Sequence, residues 1–201
     1  MDANIPSKKI LIKIAQKHYP TGHRMDKQRG TNCTGEMLNY INEKGENIRL
    51  FVKKAFLRMN SEVFEGEYKL LKSKLKNIIP NQGFVGVGND IFAFCCPIEI
   101  KVDFLYEKNQ RYIFQLLKNN PKLLKQLKFF IKCFDEFVSE GKILDLQGKE
   151  NLVISNSNKL YYTDSFLVFS EYTVTQSLSN IEILRKLVLE VEKTVLENKN
   201  T

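Results

Sequence analysis

Residues 143–166 read ILDLQGKENLVISNSNKLYYTDSF, and the reading of this stretch decides the fold of the chain. An apolar run brackets Asp145, a polar turn follows, a second apolar run comes next, and Asp164 lies just before Ser165 and Phe166. Leu152-Val153-Ile154 and Lys159-Leu160-Tyr161-Tyr162 read as two short strands joined by the turn-forming Ser155-Asn156-Ser157-Asn158. Two carboxylates are thereby placed at the two ends of one hairpin. Carboxylates beside an Asn at strand ends suit a divalent metal carrying phosphate.

Working outward, residues 110–139 are predicted helical in two pieces around Asn119-Asn120-Pro121. The second piece carries a wide apolar stripe of Leu123, Leu124, Leu127, Phe130, Ile131, Phe134 and Phe137, and Gly141 stops it just before the hairpin. A last helix is expected from about Asn180 to Glu197, with Ile181, Leu184, Leu187, Val188, Val191 and Val195 at helical spacing. Towards the N-terminus, Ile10, Leu11 and Ile14 suggest a short helix that ends at Pro20. Residues 37–41 and 48–52 are strand candidates around the turn 43–47. Residues 61–76 read as a helix that Ser61 can cap, and Pro80 and Gly83 end that unit. Residues 84–104 are strand-rich, with Ile91 to Cys96 the most buried-looking run. Strands, one helix, strands, helices, a hairpin and a helix make a mixed α+β chain with a seam near residues 97–105.

Composition narrows the classes. A chain of 201 residues with 43% hydrophobic content, 14 Phe and 8 Tyr can bury a real core as one large domain or two small lobes. No apolar run approaches the ~20 residues that span a bilayer, and Lys13 cuts the run after Lys8 and Lys9 too short for a secretory signal core. A soluble cytoplasmic protein is expected, with delivery into a host cell left open. Cys33, Cys95, Cys96 and Cys133 lack metal-ligand spacing and read as reduced thiols in or near a core. The net charge of +8 calls for an anionic partner, yet the lysines are spread over several helices, which favours solvated faces over a nucleic-acid footprint.

That order of elements, with the acids where they fall, resembles the protein kinase-like superfamily. Gly30-Thr31-Asn32-Cys33-Thr34-Gly35-Glu36-Met37 is similar to the loop G-x-G-x-x-G-x-V, with Asn32 at the second glycine. Sixteen residues past Met37, Leu50-Phe51-Val52-Lys53 looks like the strand ending in the kinase lysine. Lys54 is also basic, and strand alternation favours Lys53 because it shares the face of Phe51. The following helix offers Glu62, Glu65 and Glu67 as the lysine's partner, and Glu67 is preferred. Ile143 to Ile154 resembles H-R-D-L-x-x-x-N and the strand after it, with Ile143-Leu144 in place of His-Arg and Glu150 where the Asn is expected. Asp164-Ser165-Phe166 stands for D-F-G without its glycine, and no A-P-E-like segment follows.

The resemblance implies a two-lobed fold: residues 1–100 as a strand-rich N-lobe and 101–201 as a reduced, mainly helical C-lobe. It implies ATP and Mg²⁺, with Gly30, Asn32 and Gly35 on the phosphates and Phe94 and Cys96 in the Phe92–Pro97 wall against adenine. Lys53, paired with Glu67, would grip the α- and β-phosphates. Asp145 would orient the acceptor hydroxyl and take its proton, while Lys149 could reach the γ-phosphate. Asp164 and Asn151 would hold metal, with Glu150 the rival of Asn151. The implied activity is phosphoryl transfer to a hydroxyl on a protein or small molecule, acidic acceptors included. A nucleotide-binding pseudokinase is the alternative, and a nucleic-acid-binding protein is the least favoured.

Overall fold

The apolar run Ile91 to Cys95 becomes the most buried strand of a sheet. In the computed structural model the described residues are 5–20, 25, 28–29, 33–42, 44–55, 60–148, 150–166, 168–169 and 173–198. The chain divides into two compact units. The first comprises Met1–Ser73, Pro80–Ile98 and Ser165–Leu167; the second comprises Lys74–Ile79, Glu99–Asp164 and Val168–Thr201.

In the first unit, β1 (Gln28–Arg29), β2 (Cys33–Ile41), β3 (Asn47–Ala55), β4 (Gln82–Val87) and β5 (Asp90–Cys95) form an antiparallel sheet in the order β1-β2-β3-β5-β4. Strand β5 lies between β3 and β4, and Ile91 to Cys95 are all buried, which explains an apolar run without alternation. Helix α1 (Lys8–His18) covers one face, where Leu11, Ile14 and Ala15 join Leu50, Val52, Val85, Phe92 and Phe94. Helix α2 (Ser61–Leu75) covers the other, where Phe64 joins Ala55, Phe84, Ile91, Ala93, Cys95 and Phe166. Alternation along β3 therefore sorts its side chains between two cores.

Two expectations change here. The side chain at the start of α2 that accepts a backbone N–H is that of Asn60, whose Oδ1 receives the Glu62 N–H at 3.0 Å; Ser61 is already helical. Gly83 ends nothing; it lies inside β4, where an added Cβ would come within 2.5 Å of Leu11 Cδ1. Its missing side chain lets α1 approach the sheet.

In the second unit, β6 (Ile100–Asp103), β7 (Leu152–Ser155) and β8 (Leu160–Tyr162) form a three-stranded antiparallel sheet, with α3 (Gln110–Asn119), α4 (Pro121–Ser139) and α5 (Val174–Glu197). Pro121 opens α4 behind Asn120, whose side chain accepts the Leu123 N–H at 3.1 Å. Gly141 closes the same helix region in a left-handed conformation, φ 72°. Leu123, Leu127, Phe130, Phe134 and Phe137 are buried along α4, and Phe130 packs against Tyr162 with ring centroids 6.1 Å apart. Helix α5 begins at Val174, ahead of the expected start near Asn180. The added turn carries Ser177, which is fully buried and hydrogen-bonded rather than apolar, so the hydrophobic stripe itself starts only at Ile181.

Candidate active site

In the first unit the two adjacent lysines go to opposite faces of β3. Lys54 lies on the α1 side, where it pairs with Asp90 at 2.8 Å and stands 5.9 Å from the Phe92 ring centroid. Lys53 lies on the α2 side, opposite Gly35 on β2 and Ala93 on β5. Its charge is felt by Cys95: burial pushes that thiol up, against a downward pull from the Lys53 ammonium and from a Ser165 hydrogen bond. The Cys95 Sγ and Ser165 Oγ are 3.7 Å apart.

The three glutamates of α2 also separate. Glu62 bonds Asn60 at 3.2 Å, and Glu65 pairs with Lys8. Glu67 sits three residues after the buried Phe64 and four before the buried Leu71, hence on the inner face of the helix, and its Oε2 is buried. Lys53 and Glu67 thus face the same layer between sheet and helix. Phe166 enters that layer, edge-on to Phe64 at 5.0 Å and to Phe84 at 6.1 Å.

Other expected residues of this unit are placed differently. Gly35 is in β2, and a Cβ there would fall 2.7 Å from Phe51 Cζ, so its smallness serves packing within the sheet. Phe94 is wholly buried in the α1-side core and offers its ring to no ligand-facing surface; alternation along β5 sends it there with Phe92. Cys96 is half-buried, just after β5, and its N–H donates to the Asn81 carbonyl at 3.1 Å. Gly30, Asn32 and Lys149 lie outside the described residues.

The loop before β7, in the second unit, is a lattice of polar contacts around Asp145. This residue is 7% exposed. Its N–H donates to the Val168 carbonyl at 2.9 Å, and its Oδ1 accepts the Gln147 N–H at 2.8 Å. Its own carbonyl accepts twice, from Asn151 Nδ2 at 3.0 Å and from the Tyr162 hydroxyl at 3.1 Å. One residue on, the Leu146 N–H donates to Ser177 Oγ at 2.9 Å and the Leu146 carbonyl accepts from Asn180 Nδ2 at 2.8 Å. Two polar residues of α5 therefore hold the loop by its backbone.

Glu150 stands where the resemblance expects an Asn. Glu150 adopts φ 62°, and its side chain is exposed. Its N–H donates to Asp103 Oδ2 at 3.0 Å, and its carbonyl accepts from the Thr163 hydroxyl. The next residue, Asn151, turns its amide inward to the Asp145 carbonyl, and its own carbonyl accepts the Thr163 N–H at 2.9 Å. Asn151 and Thr163 thus extend the β7–β8 pairing by one step, and Asp164 follows directly, half-buried. Gly148 makes room: a Cβ there would meet the Asn151 carboxamide at 2.7 Å. Asp145, Asn151 and Asp164 accordingly share the open end of the hairpin, away from its Ser155–Asn158 turn.

Among the described residues no three His, Cys, Asp or Glu side chains form a metal-holding group. A magnesium site asks for less, one or two protein oxygens completed by water and substrate phosphate. Asp164 and Asn151 offer oxygens of that hard kind, and committing Asn151 Nδ2 to Asp145 leaves its Oδ1 for a cation. Sequence reasoning missed Asp103, Tyr162, Ser177 and Asn180. Of these only Ser177 and Asn180 left a trace, as polar residues in phase with the apolar stripe that begins at Ile181. All four cysteines are free thiols, and no helix of the described residues is long and apolar enough to cross a membrane. No family model and no curated protein matches the chain.

Proposed function

We propose that the chain is an atypical kinase of the protein kinase-like superfamily, transferring the γ-phosphoryl group of ATP to a hydroxyl on a protein or small-molecule acceptor. One observation carries the reading: the Asn151 amide bonds the Asp145 carbonyl at 3.0 Å although the loop is one residue longer than H-R-D-L-x-x-x-N allows, because Glu150 absorbs the excess in a left-handed turn. The lysine strand, the inward Glu67 and the buried phenylalanine after Asp164 add support from the first unit.

Each of these residues has one part of the chemistry. Lys53, held on the α2 face with Glu67, supplies positive charge for the α- and β-phosphates. Asp145 accepts the proton of the acceptor hydroxyl and fixes its direction of approach. Asn151 and Asp164 would hold Mg²⁺, which would supply charge that neutralises the phosphates. Positioning and electrostatics then supply the catalysis, with no covalent intermediate required of the protein.

Mg-ATP binding and phosphoryl transfer by wild type, Asp164→Ala and Asp145→Ala test this reading. Asp164→Ala should lose metal-dependent binding, and Asp145→Ala should bind but not transfer. Identical behaviour of all three proteins in both assays sinks it. A second reading, a nucleotide-binding module without turnover, draws on Gly35, whose missing side chain accommodates Phe51. ATP-induced thermal shifts that are indifferent to Mg²⁺, with no turnover, favour that module.

A further inference from the structure

We propose that Asp103, the last residue of β6, is a positioning residue that sets Asn151 for metal binding by clamping the extra residue of the loop. The proposal rests on the kinase reading for its functional half and on geometry alone for its structural half.

Asp103 is fixed on three sides. It stands opposite Val153 in the sheet, its Oδ1 accepts the Leu105 N–H at 3.0 Å, and its backbone carbonyl accepts from Asn109 Nδ2 at 2.9 Å. The remaining carboxylate oxygen, Oδ2, takes the N–H of Glu150. Glu150 is held from the other side by the Thr163 hydroxyl on its carbonyl. A glutamate at φ 62° is in a region that side-chain-bearing residues avoid, and such a conformation persists only where its surroundings fix it. Glu150 and Asn151 share a peptide unit. Release of the Glu150 N–H would let Glu150 relax to negative φ, and the Asn151 side chain would swing off the Asp145 carbonyl. Asp103 touches neither substrate nor metal in this scheme; it acts through Glu150 on Asn151.

The test uses the full chain with Asp103→Ala, Asp103→Asn, and Asp103→Ala combined with Glu150→Gly. The first readout is the Asn151 side-chain amide by nitrogen-15 NMR, assigned by its loss in Asn151→Asp. The second is the Mg²⁺ concentration that half-saturates phosphoryl transfer, set against kcat at saturating Mg²⁺. Asp103→Ala should shift the Asn151 amide and raise half-saturating Mg²⁺ about tenfold, with kcat at saturation changed less. Adding Glu150→Gly should restore both, because glycine takes positive φ without a clamp. Asp103→Asn keeps one acceptor oxygen and should fall between; it carries the test where Asp103→Ala does not fold. An Asn151 amide unmoved in Asp103→Ala, or moved and not restored by Glu150→Gly, overturns the proposal. If the wild type neither binds nor turns over Mg-ATP, the kinase reading falls by itself, and the amide signal still decides whether Asp103 holds Asn151.

Discussion

The surroundings of Phe166 and those of Asp145 are made of opposite materials. Phe166 lies among Phe64, Phe84, Ala93 and Cys95, where apolar burial and ring contacts hold it. Asp145 lies in a mesh of hydrogen bonds from Gln147, Asn151 and Tyr162, whose neighbour Leu146 is gripped by α5. Each fully buried large apolar side chain contributes about 1.5–3 kcal/mol to stability, whereas a net hydrogen bond contributes about 0.5–1.5 kcal/mol but demands a fixed direction. Stability and geometry are thus assigned to different parts of the chain. Substitutions in the first should cost folding, and those in the second should cost activity.

The largest expected effect tests the second half of that contrast. Asp145→Asn keeps Oδ1 as an acceptor for Gln147 and removes the charge proposed to accept the proton. Phosphoryl transfer should fall about a hundred- to ten-thousand-fold with little change in Tm. A large drop in Tm would show that the carboxylate is structural. Phe166→Ala tests the other half: unfolding in denaturant should find the protein about 3–5 kcal/mol less stable. A loss below about 1 kcal/mol would mean that the aromatic layer collapses around the gap.

Gly148→Ala sharpens the comparison, since the added methyl would press first on the Asn151 carboxamide. Activity should fall about tenfold to a hundredfold while the unfolding midpoint moves little. In the apolar layer, burial raises the Cys95 thiol, so thiolate is scarce there. Native protein treated with an alkylating reagent should be modified at half-buried Cys96 well before Cys95, as peptide mass spectrometry would show; equal rates would mean that the layer opens readily. The smallest effect belongs to the exposed Glu140, held below the usual carboxylate range by its hydrogen bond to Lys74. A depressed acid stabilises the fold above its unfolded pKa and ceases to as pH falls through the folded one. Glu140→Gln should therefore lower Tm slightly at neutral pH and not at all in acid.

Much of the frame was legible because it depends on periods. The stripes of α1 and α4 and the placing of Lys53 on the face of Phe51 follow from side-chain spacing, and the turn at Ser155–Asn158 follows from its residue types. Phe94 was misplaced because an apolar run buried on both faces does not say which residue goes to which core. Gly83 read as an end because a glycine inside a strand looks like a break until the helix pressing on it is known. Asp103 and Tyr162 could not be found, since their roles consist of contacts to residues 47 and 17 positions away in sequence. The left-handed Glu150 belongs with them: no local signal asks a glutamate to adopt that conformation.

One consequence of the Asp145 mesh concerns stereochemistry. Among the described residues, hydrogen bonds engage its N–H, its carbonyl and one carboxylate oxygen, and Oδ2 is the oxygen proposed to take a proton. A carboxylate free at both oxygens can present either one by rotating about its Cβ–Cγ bond. Here the Gln147 bond fixes the plane of the carboxylate, so the lone pairs of Oδ2 keep fixed directions. An acceptor hydroxyl must come to it from one side, and a chiral alcohol and its mirror image would be received differently.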